Sequence, residues 1–188
     1  MNETCTGIRE FVREACQRRD NVFGPAFFDQ HLVVVAECAE KLAGRLGAEV
    51  EVVDFAAYLH DISVVHDFRT MADHARLSAD LATQLLLEKG LPQSAVSLVA
   101  RSISSHSEPL SLGSASPEEI CISNADAAAR ILRPTYWIYF AFEIRKCDFE
   151  EGRKWLRSLI ERQWHELIEP ARELVGERYA ATLNLLVE

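Results

Sequence analysis

Apolar residues in this chain recur at intervals of three and four almost from end to end, and runs that alternate with period two are few. That spacing puts them on single faces of helices and leaves no repeated strand signal, so the pattern points to an all-α fold. Ile8, Phe11, Val12 and Ala15 form the stripe of a first helix, which should end near "RRDNVFGP". After Gly24-Pro25, "AFFDQHLVVVAECAEKLAGRLG" predicts a long helix closed by Gly47 as C-cap. Residues 49–62 predict a third, broken by "DFRT". Thr70 and Asp73 suit a capping box opening a helix through Lys89. Gly90-Leu91-Pro92 stops that helix and starts one running to about Ser105. A polar loop, "HSEPLSLGSASP", follows. Ser116 as N-cap, Pro117 at N1 and Glu119 at N3 then open a helix to about Leu132, and Arg133-Pro134 interrupts it. The remainder predicts two or three more helices. With no repeat or linker, the expectation is one all-α domain over residues 1–188, a bundle of eight or nine helices.

A chain of 188 residues is long enough to bury a substantial core. Its net charge of -9 argues against binding nucleic-acid polymers or an anionic membrane, although a local basic patch would still accept a small phosphorylated substrate. The five cysteines, Cys5, Cys16, Cys38, Cys121 and Cys147, are scattered without a CxxC pair and read as reduced thiols. The opening "MNETCTGIRE" has no apolar segment of a signal peptide, and no run of 18 apolar residues occurs. A cytoplasmic protein is expected.

Against this background "AAYLHDISVVHDF" poses a problem. A buried-looking helix ends in adjacent imidazole and carboxylate, His60-Asp61, and a second pair, His66-Asp67, follows. Burying such groups unpaired is costly, so they should face water or bind something. His31 lies on the apolar face of the second predicted helix, with Phe27, Phe28 and Val35. His74 is in the first turn of the fourth helix, His106 follows the fifth, and Asp126 sits in the apolar "ICISNADAAARI". Each group comes from a different helix, and a helical bundle can aim them at a common centre. Any one alone reads most simply as a hydrogen-bonded core residue. Together, imidazole and carboxylate suit a divalent transition ion.

The order H…HD…H…H…D, carried by "FFDQHLVVVAECAEKLA", "AAYLHDI", "MADHARLSADLA", "SISSHSE" and "ISNADAAAR", resembles the HD-domain superfamily of metal-dependent phosphohydrolases. The match covers about residues 26–132. The resemblance implies an HD-type helical bundle in which His31, His60, Asp61 and Asp126 bind one metal. His74 and His106 match the extra histidines of two-metal members, and Asp61 would then bridge the ions. One or two ions of iron, manganese, nickel, cobalt or zinc are implied. So is hydrolysis, by metal-activated water, of a phosphoester or phosphoanhydride in a nucleotide or other small phosphorylated metabolite. A homodimer is compatible with this reading.

Several residues stay open. Arg76, Arg101, Arg130 and Arg133 are the basic residues nearest the motifs. Arg130, one turn beyond Asp126, either contacts substrate phosphate as part of the catalytic apparatus or forms an ion pair. His66-Asp67 matches no ligand position and reads as solvated loop, with a role behind the ligands or at substrate as the alternative. His165 reads as surface or packing. The aromatic group Tyr136, Trp137, Tyr139, Phe140 and Phe142 reads as core, with a base-stacking wall as the alternative. "HDISV" lacks the glycine and lysine of the "HDIGK" found in HD-GYP phosphodiesterases, and the GYP signature is absent. It also lacks the acidic residue that follows HD in the mononuclear 5'-deoxynucleotidases. HD-fold di-iron oxygenases use the same six ligands, and a metal-binding regulatory domain without turnover is a third reading.

Overall fold

The computed structural model describes residues 3–108 and 110–186; Met1, Asn2, Pro109 in the polar loop, Val187 and Glu188 lie outside them. The helices are α1 (Glu3–Cys16), α2 (Val33–Leu46), α3 (Val50–Leu59), α4 (Ile62–His66), α5 (His74–Glu88), α6 (Gln93–Ser105), α7 (Pro117–Leu132), α8 (Pro134–Tyr139), α9 (Phe149–Glu166) and α10 (Glu169–Leu185). With α4 taken as a single five-residue turn, nine α-helices of six residues or more make up the fold, and no strand occurs among the described residues. The expected all-α architecture is therefore observed. No helix among the described residues is long and apolar enough to cross a membrane.

α7 is the axis of the core and packs against α2, α3, α6, α9 and α10. Its small residues Ala125, Ala127, Ala128 and Ala129 are buried, which lets the neighbouring helices approach closely. Its start is the capping box read from the sequence. The Glu119 N–H donates to Ser116 Oγ at 3.3 Å, and the Ser116 N–H donates to Glu119 Oε2 at 2.9 Å. α3 is covered on nearly every side, with Val52, Val53 and Phe55 to Leu59 all buried, so its apolar run has no polar face. Gly47 ends α2 at φ 72, and its N–H donates to the Ala43 carbonyl, as a left-handed C-cap should.

Four local expectations are corrected. Residues 49–62 are not one helix, because α3 stops at Leu59 and α4 starts at Ile62, with Asp61 at φ -111, ψ 13 in between. The long second helix opens with a π-helical turn, Phe28–Leu32, before α2. Thr70 and Asp73 form no capping box. Residues Phe68–Asp73 are a 3-10 helix, the Thr70 hydroxyl donates to the Asp67 carbonyl, and the Asp73 side chain caps nothing. Phe11 is 37% exposed, whereas Ile8, Val12 and Ala15 are buried; it lies at the edge of the stripe.

Candidate metal centre

The irregular places in the backbone are the ones that supply the candidate ligands. His31 sits in the π-helical turn, a device that shifts a side chain off the regular helical face. His60 and Asp61 occupy the break between α3 and α4. Asp61 stands at the N-cap position of α4, yet its side chain makes no capping bond. Its oxygens are thereby left for the interior. His74 is the first residue of α5, His106 follows the last residue of α6, and Asp126 lies in mid-α7.

These six side chains converge. His31 Nε2 lies 3.3 Å from His60 Nε2 and 3.2 Å from Asp126 Oδ1. The two carboxyl oxygens of Asp61 face opposite ways. Oδ2 is 3.3 Å from His60 Nε2 and 3.8 Å from His31 Nε2, whereas Oδ1 is 3.6 Å from His74 Nε2 and 3.9 Å from His106 Nε2. His74 Nε2 and His106 Nε2 are 3.2 Å apart. All but His74 are buried.

The donor chemistry fits a cation. The Nδ1 atoms of His60, His74 and His106 lie 2.8, 3.0 and 2.6 Å from the carbonyls of Ala57, Met71 and Ile103, each three residues earlier. A carbonyl only accepts, so each Nδ1 carries hydrogen and each ring turns its Nε2 inward, the nitrogen whose lone pair can ligate a cation. Backbone acceptors of this kind orient histidine ligands at metal centres. Lone pairs facing one another at 3.2 Å repel unless a proton or a cation lies between them. Asp126 Oδ1 is buried without a hydrogen-bond partner, as is His31 Nδ1. His31, His60 and Asp61; His60, His106 and Asp126; and Asp61, His74 and His106 each bring three ligand atoms close enough to hold one ion.

The electrostatics agree. Burial alone would raise the Asp61 carboxyl, but the charge and hydrogen bond of His60, with His106 and His31 beyond, hold it well below the usual range. Asp126 is likewise held low against its burial, chiefly by the charge of Arg130. Burial pushes the His106 imidazole down to about 4, aided by His60. It also pushes His31 down, despite Asp126. His60 is raised, because Asp61 and Asp126 outweigh its burial. Around neutral pH the metal-free cluster thus holds two carboxylates and neutral rings at His31 and His106.

The HD domain profile matches residues 28–131, more than half of the chain and the whole span from the π-helical turn to the end of α7. The chain belongs to the HD domain family. No curated protein matches it. Among solved structures, this HD domain is similar to a predicted HD superfamily hydrolase from an uncultured Thermotogales bacterium. The two are 28% identical, with 96% of this chain and 88% of the other covered and a TM-score of 0.64. It shares its fold with Bacillus subtilis YpgQ, solved in complex with ADP, at 19% identity and a TM-score of 0.67, over 97% of this chain and 93% of that one.

The other residues singled out in the sequence fall outside the cluster of six in this HD domain, some beside it. Arg130 Nη1 lies 2.8 Å from Asp126 Oδ2 and donates to Gln163 Oε1 at 2.7 Å, and the guanidinium sits over Trp137. That geometry supports the ion-pair reading. Asp67 is tied to Arg69 and caps the 3-10 helix, whereas His66 is half-buried in a groove of about 210 Å³ with Phe11, Leu59 and Leu85. Arg76 pairs with Asp80 on the surface, and Arg101 and His165 are exposed. Of the five aromatics read as core, Tyr136, Trp137 and Phe140 are buried, whereas Tyr139 and Phe142 are exposed and correct that reading; Trp137 also stands edge-on to His31, 5.6 Å between ring centres. Sequence reasoning missed Gln163. Its signal was a polar residue at the end of an apolar stripe, Leu156, Leu159, Ile160, Gln163, whose members are all buried.

Proposed function

We propose that this HD domain is a metal-dependent phosphohydrolase that cleaves a phosphoester or phosphoanhydride of a nucleotide or similar small phosphorylated metabolite. The observation that carries the reading is the two-sided presentation of Asp61, with Oδ2 toward His31 and His60 and Oδ1 toward His74 and His106. Such a carboxylate suits two neighbouring divalent ions. His31, His60, Asp61 and Asp126 would hold one ion, and His74, His106 and Asp61 the other. Imidazole with carboxylate selects iron, manganese, cobalt, nickel or zinc over magnesium or calcium. A divalent ion supplies Lewis acidity for phosphoryl oxygen and lowers the pKa of water.

The chain's own contribution is preorganisation. The carbonyls of Ala57, Met71 and Ile103 fix three imidazoles in one tautomer, and Arg130 holds Asp126 ionised and oriented. His74, the least buried of the six, marks the side from which substrate reaches the centre. A small phosphorylated substrate is favoured over a polymer by the net charge of -9. YpgQ, solved in complex with ADP, shares this fold, which supports a nucleotide among the candidate substrates.

The test joins elemental analysis with a panel of phosphate monoesters, diesters, nucleotides and dinucleoside polyphosphates. Metal-dependent release from one substrate class, abolished by chelator and restored by the metal, is expected. Chelator-insensitive turnover overturns the reading. Inactivity across the panel with substrate-dependent dioxygen uptake assigns the centre to oxygenase chemistry instead.

A further inference from the structure

We infer that Gln163, on α9 and outside the region matched by the HD profile, is a positioning residue that tunes the metal affinity of the centre through Arg130 and Asp126. The inference rests on the metal reading above and adds a residue from the C-terminal helices to it. Asp126 divides its carboxylate between two tasks. Oδ1 is buried, unpartnered and aimed at His31 and His60, whereas Oδ2 lies against Arg130. The direction of Oδ1 is therefore only as fixed as the guanidinium is. Arg130 is a long side chain, 22% exposed, and would lose its rotamer order without a second anchor.

Gln163 is that anchor. Its amide is 4% exposed, accepts from Arg130 Nη1 at 2.7 Å and donates through Nε2 to Glu166 Oε2 at 2.8 Å. Glu166 offers only acceptors and Arg130 only donors, so the amide has one satisfactory orientation; flipped, it clashes electrostatically at both ends. The Arg130 guanidinium carbon also lies 5.7 Å from the Trp137 ring centre, and Trp137 itself abuts His31. A buried amide on the apolar stripe of α9 costs desolvation that a leucine would avoid, and its acceptor end is spent on the guanidinium that holds Asp126.

The test is Co(II) titration of the metal-stripped chain, followed by visible absorption, which reports occupancy and ligand geometry independently of turnover. Gln163→Met keeps the volume and removes both hydrogen bonds. It should bind Co(II) about 10-fold more weakly at one ion, the low end of the loss usual for an outer partner of a ligand, with a changed absorption envelope. Gln163→Glu combined with Glu166→Gln returns an acceptor to Arg130 and a donor beyond it, and should restore both readouts. A folded Gln163→Met protein that titrates and absorbs like the parent overturns the inference while leaving the metal reading intact. Should that variant not fold, Glu166→Ala, at an exposed position, carries the test: a smaller loss in the same direction supports the inference, and unchanged affinity overturns it. A parent chain that takes up no Co(II) overturns the metal reading and this inference together.

Discussion

His74 and His106 face one another through Nε2 at 3.2 Å, and each has its Nδ1 turned to the carbonyl three residues before it. Two helix termini, the start of α5 and the end of α6, produce the same local geometry from opposite ends. At each, the carbonyl three residues earlier, near a helix end or in the preceding 3-10 turn, accepts the ring N–H, and the other nitrogen points inward. The pair forms a second mouth for Asp61, separate from the one made by His31 and His60.

The first prediction concerns the number of ions. His74→Ala removes one of two imidazoles from that second mouth and leaves His31, His60, Asp61 and Asp126 untouched. Because His74 is 17% exposed, the substitution opens the site to water without leaving a sealed cavity. Bound metal should fall from two ions toward one per chain by elemental analysis, with melting unchanged in the stripped protein. Two ions retained would refute the dinuclear assignment.

Asp61→Asn probes the shared carboxylate. The amide preserves volume but withdraws the charge from both mouths, and its N–H end donates to an Nε2 lone pair that would otherwise serve an ion. Both ions and most hydrolytic activity should be lost, while far-UV circular dichroism remains that of the parent. His165→Ala, at an exposed position on α9, should change neither. Activity that survives Asp61→Asn contradicts the proposed use of the centre.

The parts of this centre that periodicity and punctuation encode were legible in the sequence. Helical spacing located α1, α2, α6 and α7, and Ser116 with Pro117 and Glu119 marked the start of α7 to the residue. The order of histidines and aspartates picked out the six side chains that converge, carried by five separate places in the chain. What escaped were departures from regular helix. The π-helical turn at Phe28–Leu32 and the break at His60-Asp61 have no local breaker residue such as glycine or proline; tertiary packing around the cluster imposes them. Thr70 failed as a cap because its hydroxyl found the nearer Asp67 carbonyl. Gln163 was hidden because its partner Arg130 is 33 residues away, a separation that no local pattern spans.

Arg130→Ala distinguishes a structural guanidinium from a phosphate-gripping one. In the ion-pair reading, the variant leaves Asp126 Oδ2 without its cation, and stability should fall by about 2–4 kcal/mol. That is discounted from the usual loss on breaking a buried pair because Arg130 is 22% exposed. Urea unfolding of the metal-free chain measures it with no substrate present. A contact made only to substrate phosphate predicts the reverse: unchanged unfolding, and a loss of about 1.5–3 kcal/mol in binding or turnover.

The last prediction is the pH dependence of the metal-free chain. Burial lowers His106 to about 4 and lowers His31 as well, whereas both rings are ordinary imidazoles when unfolded. The unfolded state therefore binds more protons as pH falls below about 6.5, and stability contributed by the two neutral rings is lost on acidification. His60, raised by its carboxylate neighbours, works in the opposite direction, so the share of His106 is read from its own variant. The depressed carboxyls of Asp61 and Asp126 add their own loss further down, below about 4, where the unfolded carboxyls protonate. Between pH 7 and 5.5 the His106 contribution alone amounts to about 1 kcal/mol. Chemical unfolding of the stripped protein across that interval should show stability falling with pH, and His106→Gln, which cannot titrate, should flatten the slope by that amount. An unchanged slope in the variant would mean that His106 is already protonated in the fold, contrary to a ring whose Nε2 lone pair waits for an ion.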